Sequence, residues 1–416
     1  MNELPMTLNE IFKMKIDFSP PFIDDDVKNE VISALESGWI TTGPKVKALE
    51  QETARYAGID HALCVNSATS AMMLVLHWLG IGRGDEVIVP AYTYCATALV
   101  VMHVGATPVM VDVRDDFNID PEKVRAAITS KTKAIIPVDF AGWPCDYDGL
   151  YNVINEAKGL FEPKGTVQQQ LGRIAIVADA AHSFGASYKG RKTGSLADIS
   201  VFSYHAVKNL TTAEGGAICL TMPLPFDNGE LYKTLRLWSL NGQTKDAFTK
   251  SQSGGWRYDI VYPGFKINMP DVCAAIGLAQ IRKYDTAVWK ERKRVFEYFS
   301  EAFANDEWAE LPPYLSDESV CSFHLYPLRI LGIDEEQRDK IIEIISSEQL
   351  AVNVHFIPLP LLSVFKERGY LINDYPVAFD NYAREISLPI YPQLNNILCE
   401  HIVTVVRNSV NKVKTK

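Results

Sequence analysis

Three short apolar runs limit the folds open to this chain. They are DEVIVP at 85–90, TKAIIPVDF at 132–140 and RIAIVADA at 173–180, and segments of helical, amphipathic period separate them. Runs this apolar have no polar face to turn to water. They predict strands covered by helices on both sides, and their alternation with helices predicts a mostly parallel sheet. In such sheets ligands bind beyond the carboxyl ends of the strands. Asp179 closes one run at that end. A further stretch, Val87 to Val111, carries no Asp, Glu, Lys or Arg and is long enough to cross a bilayer. Pro90, Thr93, Thr97, His103, Gly105 and Pro108 interrupt it, so it divides into strand, helix and strand and reads as buried α/β core.

With 416 residues, 47% hydrophobic and 22% charged, the chain can bury a large core, and two domains are expected. The boundaries are set at residues 1–20 for an N-terminal arm, 21–285 for a large α/β domain and 286–416 for a smaller α+β domain. The boundary at 286 falls within DVCAAIGLAQIRKYDTAVWKERKRVFEYFSEAF, one or two long helices, beyond which strands and helices alternate at lower apolar density. A net charge of −10 and a pI near 5.4 argue against a protein that tracks nucleic-acid phosphates, which needs clustered Lys and Arg. Seven scattered cysteines, none in a C-x-x-C pair, suggest neither a disulfide framework nor a metal site. The first residues mix acids into MNELPMTLNEIFKMKIDF with no apolar stretch of signal-peptide length, so a cytoplasmic location is expected.

The chemistry is concentrated around FSYHAVKNLTTAEGG, residues 202–216. Pyridoxal 5′-phosphate demands a lysine for its Schiff base, an acid at the pyridine nitrogen, a flat residue over the ring, and hydroxyls or backbone N–H groups for the phosphate. Lys208, just past an apolar strand, is the candidate lysine, and Asp179 the candidate acid. NSATS at 66–70 precedes a long apolar helix beginning near 69 and closed by Gly80, so the N–H groups near Thr69 and Ser70, with the Thr69 hydroxyl, suit a phosphate. Tyr94 follows another strand and is placed to stack. Ser203, five residues before Lys208, offers a further hydroxyl, and His182 would sit near the ring's phenolic oxygen. Gly215 and Gly216 allow close backbone approach. Taken singly, these residues read as a surface lysine, a capping aspartate, an N-cap, a core aromatic and a core histidine. Their joint order carries the reading.

VADAAHSFGASYKGRKTGSLADISVFSYHAVKNLTTAEGG resembles the lysine segment of the DegT/DnrJ/EryC1/StrS family of sugar-nucleotide aminotransferases. SGWITTGPKVKALEQETARYAGIDHALCVNSATSAM and GRGDEVIVPAYTYCATALVVMHVGATPVMVDV look like the family's earlier blocks. PGFKINMPDVCAAIGLAQI, SFHLYPLRI and REISLPIYP follow in order, so the resemblance runs from about Phe18 to Pro392. It implies an aspartate-aminotransferase-like α/β fold (fold type I) with a seven-stranded, mostly parallel sheet. It implies Lys208 as the Schiff-base lysine, Asp179 as the pyridine acid and His182 beside the phenolic oxygen. Thr69, Ser70 and Ser203 match the phosphate cradle and Tyr94 the stacking position, while Lys266, in GFKIN, matches a side chain that reaches the partner's phosphate in a homodimer. The combination SATS, DAAH, FSYHAVKN, TAEGG and GFKIN is most like enzymes that aminate a 4-keto UDP-pentose, which implies L-glutamate and a nucleotide-linked keto sugar as substrates.

Three departures stand out. Ser67-Ala68-Thr69-Ser70 replaces the commoner S-G-T-A, GLFEPKGTVQQQLGR at 159–173 looks like an added surface excursion, and Pro360 stands where the family usually has a substrate-contacting histidine. Three rival readings stand beside this one. A PLP-dependent sugar dehydrase carries a histidine in place of the lysine, which Lys208 opposes. A cofactor-binding relative without turnover is kept open by Pro360. A nicotinamide oxidoreductase would need G-x-G-x-x-G after an early strand, and the chain has none.

Overall fold

A computed structural model describes residues 15–245 and 256–415. Its centre is a seven-stranded sheet of β1 (His61–Val65), β2 (Glu86–Pro90), β3 (Thr107–Val111), β4 (Thr132–Ile135), β5 (Ala175–Asp179), β8 (Ile199–Ser203) and β9 (Gly216–Leu220). The spatial order is β1-β9-β8-β5-β4-β2-β3. Strands β3, β2, β4, β5 and β8 pair in parallel, whereas β9 runs antiparallel to both of its neighbours. The short strands β6 (Ser187–Tyr188) and β7 (Arg191–Lys192) leave this sheet and join β11 (Ser319–Val320) in a small ribbon.

The three apolar runs form β2, β4 and β5. Every residue of β5 is buried, as expected for a strand covered on both faces. The ladder of β4 stops at Ile135 although the apolar run continues. Pro137 has no N–H to give, yet its carbonyl still accepts from Asp179 N at 2.8 Å, so the chain stays beside β5 as irregular backbone. The entry to β5 is pinned by Asp198, which receives two Arg173 bonds at 2.8 and 2.6 Å and the Ile176 amide at 2.8 Å. Val87–Val111 is strand, helix (Ala96–His103) and strand. Among the described residues no helix is long and apolar enough to cross a membrane.

Helix Pro44–Ala57 starts on a proline pre-set for the first turn. Its N-terminus has no local side-chain cap. Instead the amides of Gly43, Lys45 and Val46 donate to the buried Asp271 carboxylate at 2.8, 3.0 and 2.9 Å, so the helix Asp271–Ile281 caps its neighbour. The long helical stretch is thus interrupted: a π-type turn at Tyr284–Trp289 leads into a second helix, Lys290–Phe303.

A second sheet, β10 (Ala309–Glu310), β12 (Tyr326–Ile330) and β13 (Glu385–Leu388), packs with Lys290–Phe303 and the C-terminal helix Asn396–Lys414 around Phe296, Phe299, Tyr326, Ile341 and Val406. Ile16 belongs to that core as well, while Leu359, Phe365 and Tyr375 return to the core of the seven-stranded sheet. The 159–173 excursion is tied down by Gln168, which donates to Leu79 O at 3.0 Å, and by Lys164 against Asp85 at 2.6 Å.

Candidate active site

The carboxyl ends of β5 and β8 and the start of helix Ala68–Trp78 open into one cavity of about 440 Å³. Lys208, Asp179, Thr69, Tyr94, His182 and Ser203 all line it. Their separation along the chain, from 69 to 208, is closed by the parallel strand order, which delivers successive strand ends to the same side.

Asp179 ends β5 and is buried. Its Oδ2 accepts from Thr97 Oγ1 at 2.9 Å and its Oδ1 from the Ala181 amide at 3.2 Å. Thr97 has one proton and spends it on Asp179, so Thr93 Oγ1, 2.9 Å away, donates to Thr97 in turn. Burial pushes the Asp179 carboxyl above its ordinary pKa, and the Thr97 bond, the Ala181 amide and the Lys208 charge oppose that. Burial also lowers the Lys208 amine to about 8, against a smaller opposing pull from Asp179. Lys208 is thereby brought near the pH where a lysine can exchange protons.

Asn209, next to that lysine, is buried and fully bonded. Its Oδ1 accepts from Arg292 Nε at 2.8 Å and faces His324 Nδ1 at 2.9 Å, and its Nδ2 donates to Ser322 O at 2.8 Å and to Tyr284 Oη at 3.2 Å. His182 Nδ1 accepts the Ala141 amide at 3.3 Å. Burial, with Lys208 and His355 adding to it, holds His182 well below the usual histidine pKa, so its single ring proton sits on Nε2.

The structure does not bring every expected residue to the cavity surface. The cap of helix Ala68–Trp78 is Ser67, whose hydroxyl accepts the Ser70 amide at 3.0 Å and donates to Ser70 Oγ at 2.9 Å. The Ser70 amide is therefore already bonded within the helix start, and Ser67 lines the cavity beside Thr69 instead. Lys266 bonds Asn268 within its own chain and lies outside the cavity lining. Pro360 is buried in a tight turn, Leu359–Leu361.

Residues not anticipated from sequence complete the site: Thr97 bonds Asp179 from behind, and His324, His355, Phe18 and Phe356 join the lining. A weak signal existed for two of them, because His324 falls inside SFHLYPLRI and His355 lies five residues before Pro360.

The donor set fits pyridoxal 5′-phosphate: an amine, a buried carboxylate, and hydroxyls at a helix N-terminus. The backbone fits too. A Cβ at Gly216 would lie 2.7 Å from Ala68 N and 2.8 Å from Phe202 O, so only glycine lets β9 pass this close to the helix start.

Fold and site together define an enzyme of the aspartate-aminotransferase architecture, fold type I, built around a lysine–aspartate pair. The chain belongs to the DegT/DnrJ/EryC1/StrS aminotransferase family, whose model matches residues 21–407. It is an aminotransferase, and pyridoxal 5′-phosphate is its cofactor. It is similar to the spore coat polysaccharide biosynthesis protein SpsC of Bacillus subtilis, 37% identical over 94% of this chain and 96% of that one. Among solved structures it resembles Spr1654 from Streptococcus pneumoniae, a candidate sugar aminotransferase in its PMP form, at 43% identity and a TM-score of 0.92, over 96% of this chain and 100% of that one. It also resembles Helicobacter pylori PseC, an aminotransferase of pseudoaminic acid biosynthesis, at 26% identity and a TM-score of 0.83, over 96% and 100%.

Proposed function

We propose that this chain transfers an amino group from L-glutamate to the C4 keto group of a nucleotide-linked sugar, as a cytoplasmic homodimer serving cell-surface glycan or related amino-sugar biosynthesis. The observation that carries the reading is the meeting of Lys208 and Asp179 in one cavity. The sugar acceptor is supported by the polysaccharide and pseudoaminic acid roles printed for SpsC and PseC.

Bound in the cavity, pyridoxal 5′-phosphate supplies an electron sink and carries the amino group between the two substrates. Asp179 holds positive charge on the pyridine nitrogen, and Thr97 keeps its carboxylate turned toward the cavity. Lys208 takes and returns a proton through Nζ, which its lowered pKa permits near neutrality. Thr69 and Ser203 hold the phosphate, Tyr94 covers the ring, and His182 offers Nε2–H to the phenolic oxygen. Lys266 reaches the partner's site, and the boundary at residue 286 separates the cofactor domain from a smaller one.

The test is the absorbance spectrum of purified protein before and after L-glutamate, with Lys208→Ala alongside, followed by UDP- and dTDP-linked 4-keto sugars and product analysis at C3 and C4. A glutamate-driven shift in the wild type and amination at C4 are expected. A band indifferent to glutamate overturns the donor assignment. Mixing inactive Lys208→Ala with inactive Lys266→Ala tests the dimer: shared sites predict recovered activity, since a mixed pair keeps one intact site.

A further inference from the structure

Behind His355, which lines the cavity, runs a buried polar chain that the proposed function leaves unused. Glu385 and Ser387 lie two apart on β13, so they face the same side of the strand, and both are fully buried. The Ser387 hydroxyl donates to Glu385 Oε1. His355 Nδ1 lies 2.9 Å from Ser387 Oγ, and the His355 amide donates to Glu385 Oε2 at 3.0 Å. The His355 carbonyl accepts from Tyr92 Oη. Phe18 stacks on the imidazole, with centroids 5.4 Å apart and planes 24° from parallel.

One ring nitrogen, both backbone polar groups and one ring face are thus held. What remains is Nε2. The ring lines the same cavity as Lys208, and Nε2 has no hydrogen-bond partner among the described residues. A residue needed only for packing would not require a buried glutamate and serine to set the angle of its ring.

We propose that His355 orients the acceptor substrate, its Nε2 forming a hydrogen bond with a hydroxyl of the keto sugar; this rests on the sugar-acceptor reading above. Burial and the nearby Lys208 hold the imidazole neutral, down to about 3, so it does not attract the carboxylates of an amino donor by charge. A hydroxyl suits it for a second reason. With Glu385 ionised, Ser387 spends its proton on the carboxylate, His355 donates through Nδ1, and Nε2 is an acceptor. With Glu385 protonated, the chain reverses and Nε2 becomes a donor. Burial pushes Glu385 up to about 8, so both directions are open near neutrality. A hydroxyl both donates and accepts, and satisfies either state.

The test compares two amides. In His355→Gln the terminal amide reaches the place of Nε2, and in His355→Asn only the place of Nδ1. With a UDP-linked 4-keto pentose as acceptor, His355→Asn should raise its KM about tenfold or more, the loss of roughly one hydrogen bond. His355→Gln should stay within about threefold of wild type, and the glutamate half-reaction should be unchanged in both. Ser387→Ala should raise the same KM by a smaller factor, because the ring loses its anchor and keeps Nε2.

Equal effects of the two amides on KM, no KM change, or an Asn variant with an equally slowed glutamate half-reaction would overturn the proposal. If the wild type reacts with glutamate but aminates neither this sugar nor any of the UDP- and dTDP-linked set, the sugar-acceptor reading fails and takes the inference with it. That outcome is distinct from normal turnover that is indifferent to residue 355.

Discussion

Thr97→Val isolates the contribution of one hydroxyl to the Asp179 carboxylate. The two side chains are nearly the same shape and Thr97 is fully buried, so the change leaves little cavity and removes mainly the 2.9 Å bond to Oδ2. A hydrogen bond to a charged group contributes about 1.5–3 kcal/mol. Thr93 also loses the acceptor for its proton, which adds about 1 kcal/mol. Among the described residues the only other donor to this carboxylate is the Ala181 amide at 3.2 Å. At about 1.4 kcal/mol per pKa unit, Asp179 should rise by a further one to two units. The sign follows from which form the donor favours. Thr97 stabilises the ionised carboxylate, so the variant is weaker where Asp179 is ionised, and the deficit closes as the pH falls through its raised pKa. The assays are urea unfolding of the apoprotein at pH 8 and at successively lower pH, and the rate of the glutamate half-reaction at pH 8. A deficit of about 2.5–4 kcal/mol at pH 8 that shrinks with acid, and a half-reaction slowed about tenfold to a hundredfold, are expected. An unchanged half-reaction rate, or a stability loss independent of pH, would refute the role given to Thr97.

Other parts of the molecule make similarly direct predictions. Asp271→Ala strips three amides at the start of helix Pro44–Ala57 of their acceptor and should lower stability by about 2–4 kcal/mol in urea titration. Gly216→Ala sets a methyl 2.7 Å from one backbone atom and 2.8 Å from another, neither free to swing away; a loss of about 1–3 kcal/mol and weaker cofactor retention on dialysis are expected. The Lys208 amine should react with an amine reagent half-maximally near pH 8 in the apoprotein, and since its folded pKa lies below the unfolded one, stability should rise with pH between about 8 and 10.5, a rise that Lys208→Met abolishes.

The runs that became β2, β4 and β5 were legible because strands buried on both faces cannot conceal their composition. The end of β4 was not, since apolar residues continue past the proline that breaks its ladder. Nor was the direction of β9, because hydrophobic patterning does not record strand sense. Lys208, Asp179, Thr69, Tyr94, His182 and Ser203 could be grouped because each follows a strand or opens a helix, and a parallel sheet gathers those points at one edge. Thr97 escaped notice: its bond to Asp179 spans 82 residues and resembles any threonine in a buried helix. His355 reads in sequence as one more histidine in an apolar segment. Only the three-dimensional path of β13 reveals the glutamate and serine that hold it.

The four bonds to Asn209 have a consequence for how the enzyme is assembled. Three of its partners, Arg292, Ser322 and His324, come from beyond Trp289, and only Tyr284 precedes that point. The strands that carry Asp179 and Ser203 are complete by residue 220, yet the seat of the neighbouring lysine is finished by sequence that follows much later. During synthesis the cofactor's acid and hydroxyls can be in place while the lysine loop is still untethered, which makes the latter half of the chain the clasp that turns a formed sheet into a working site.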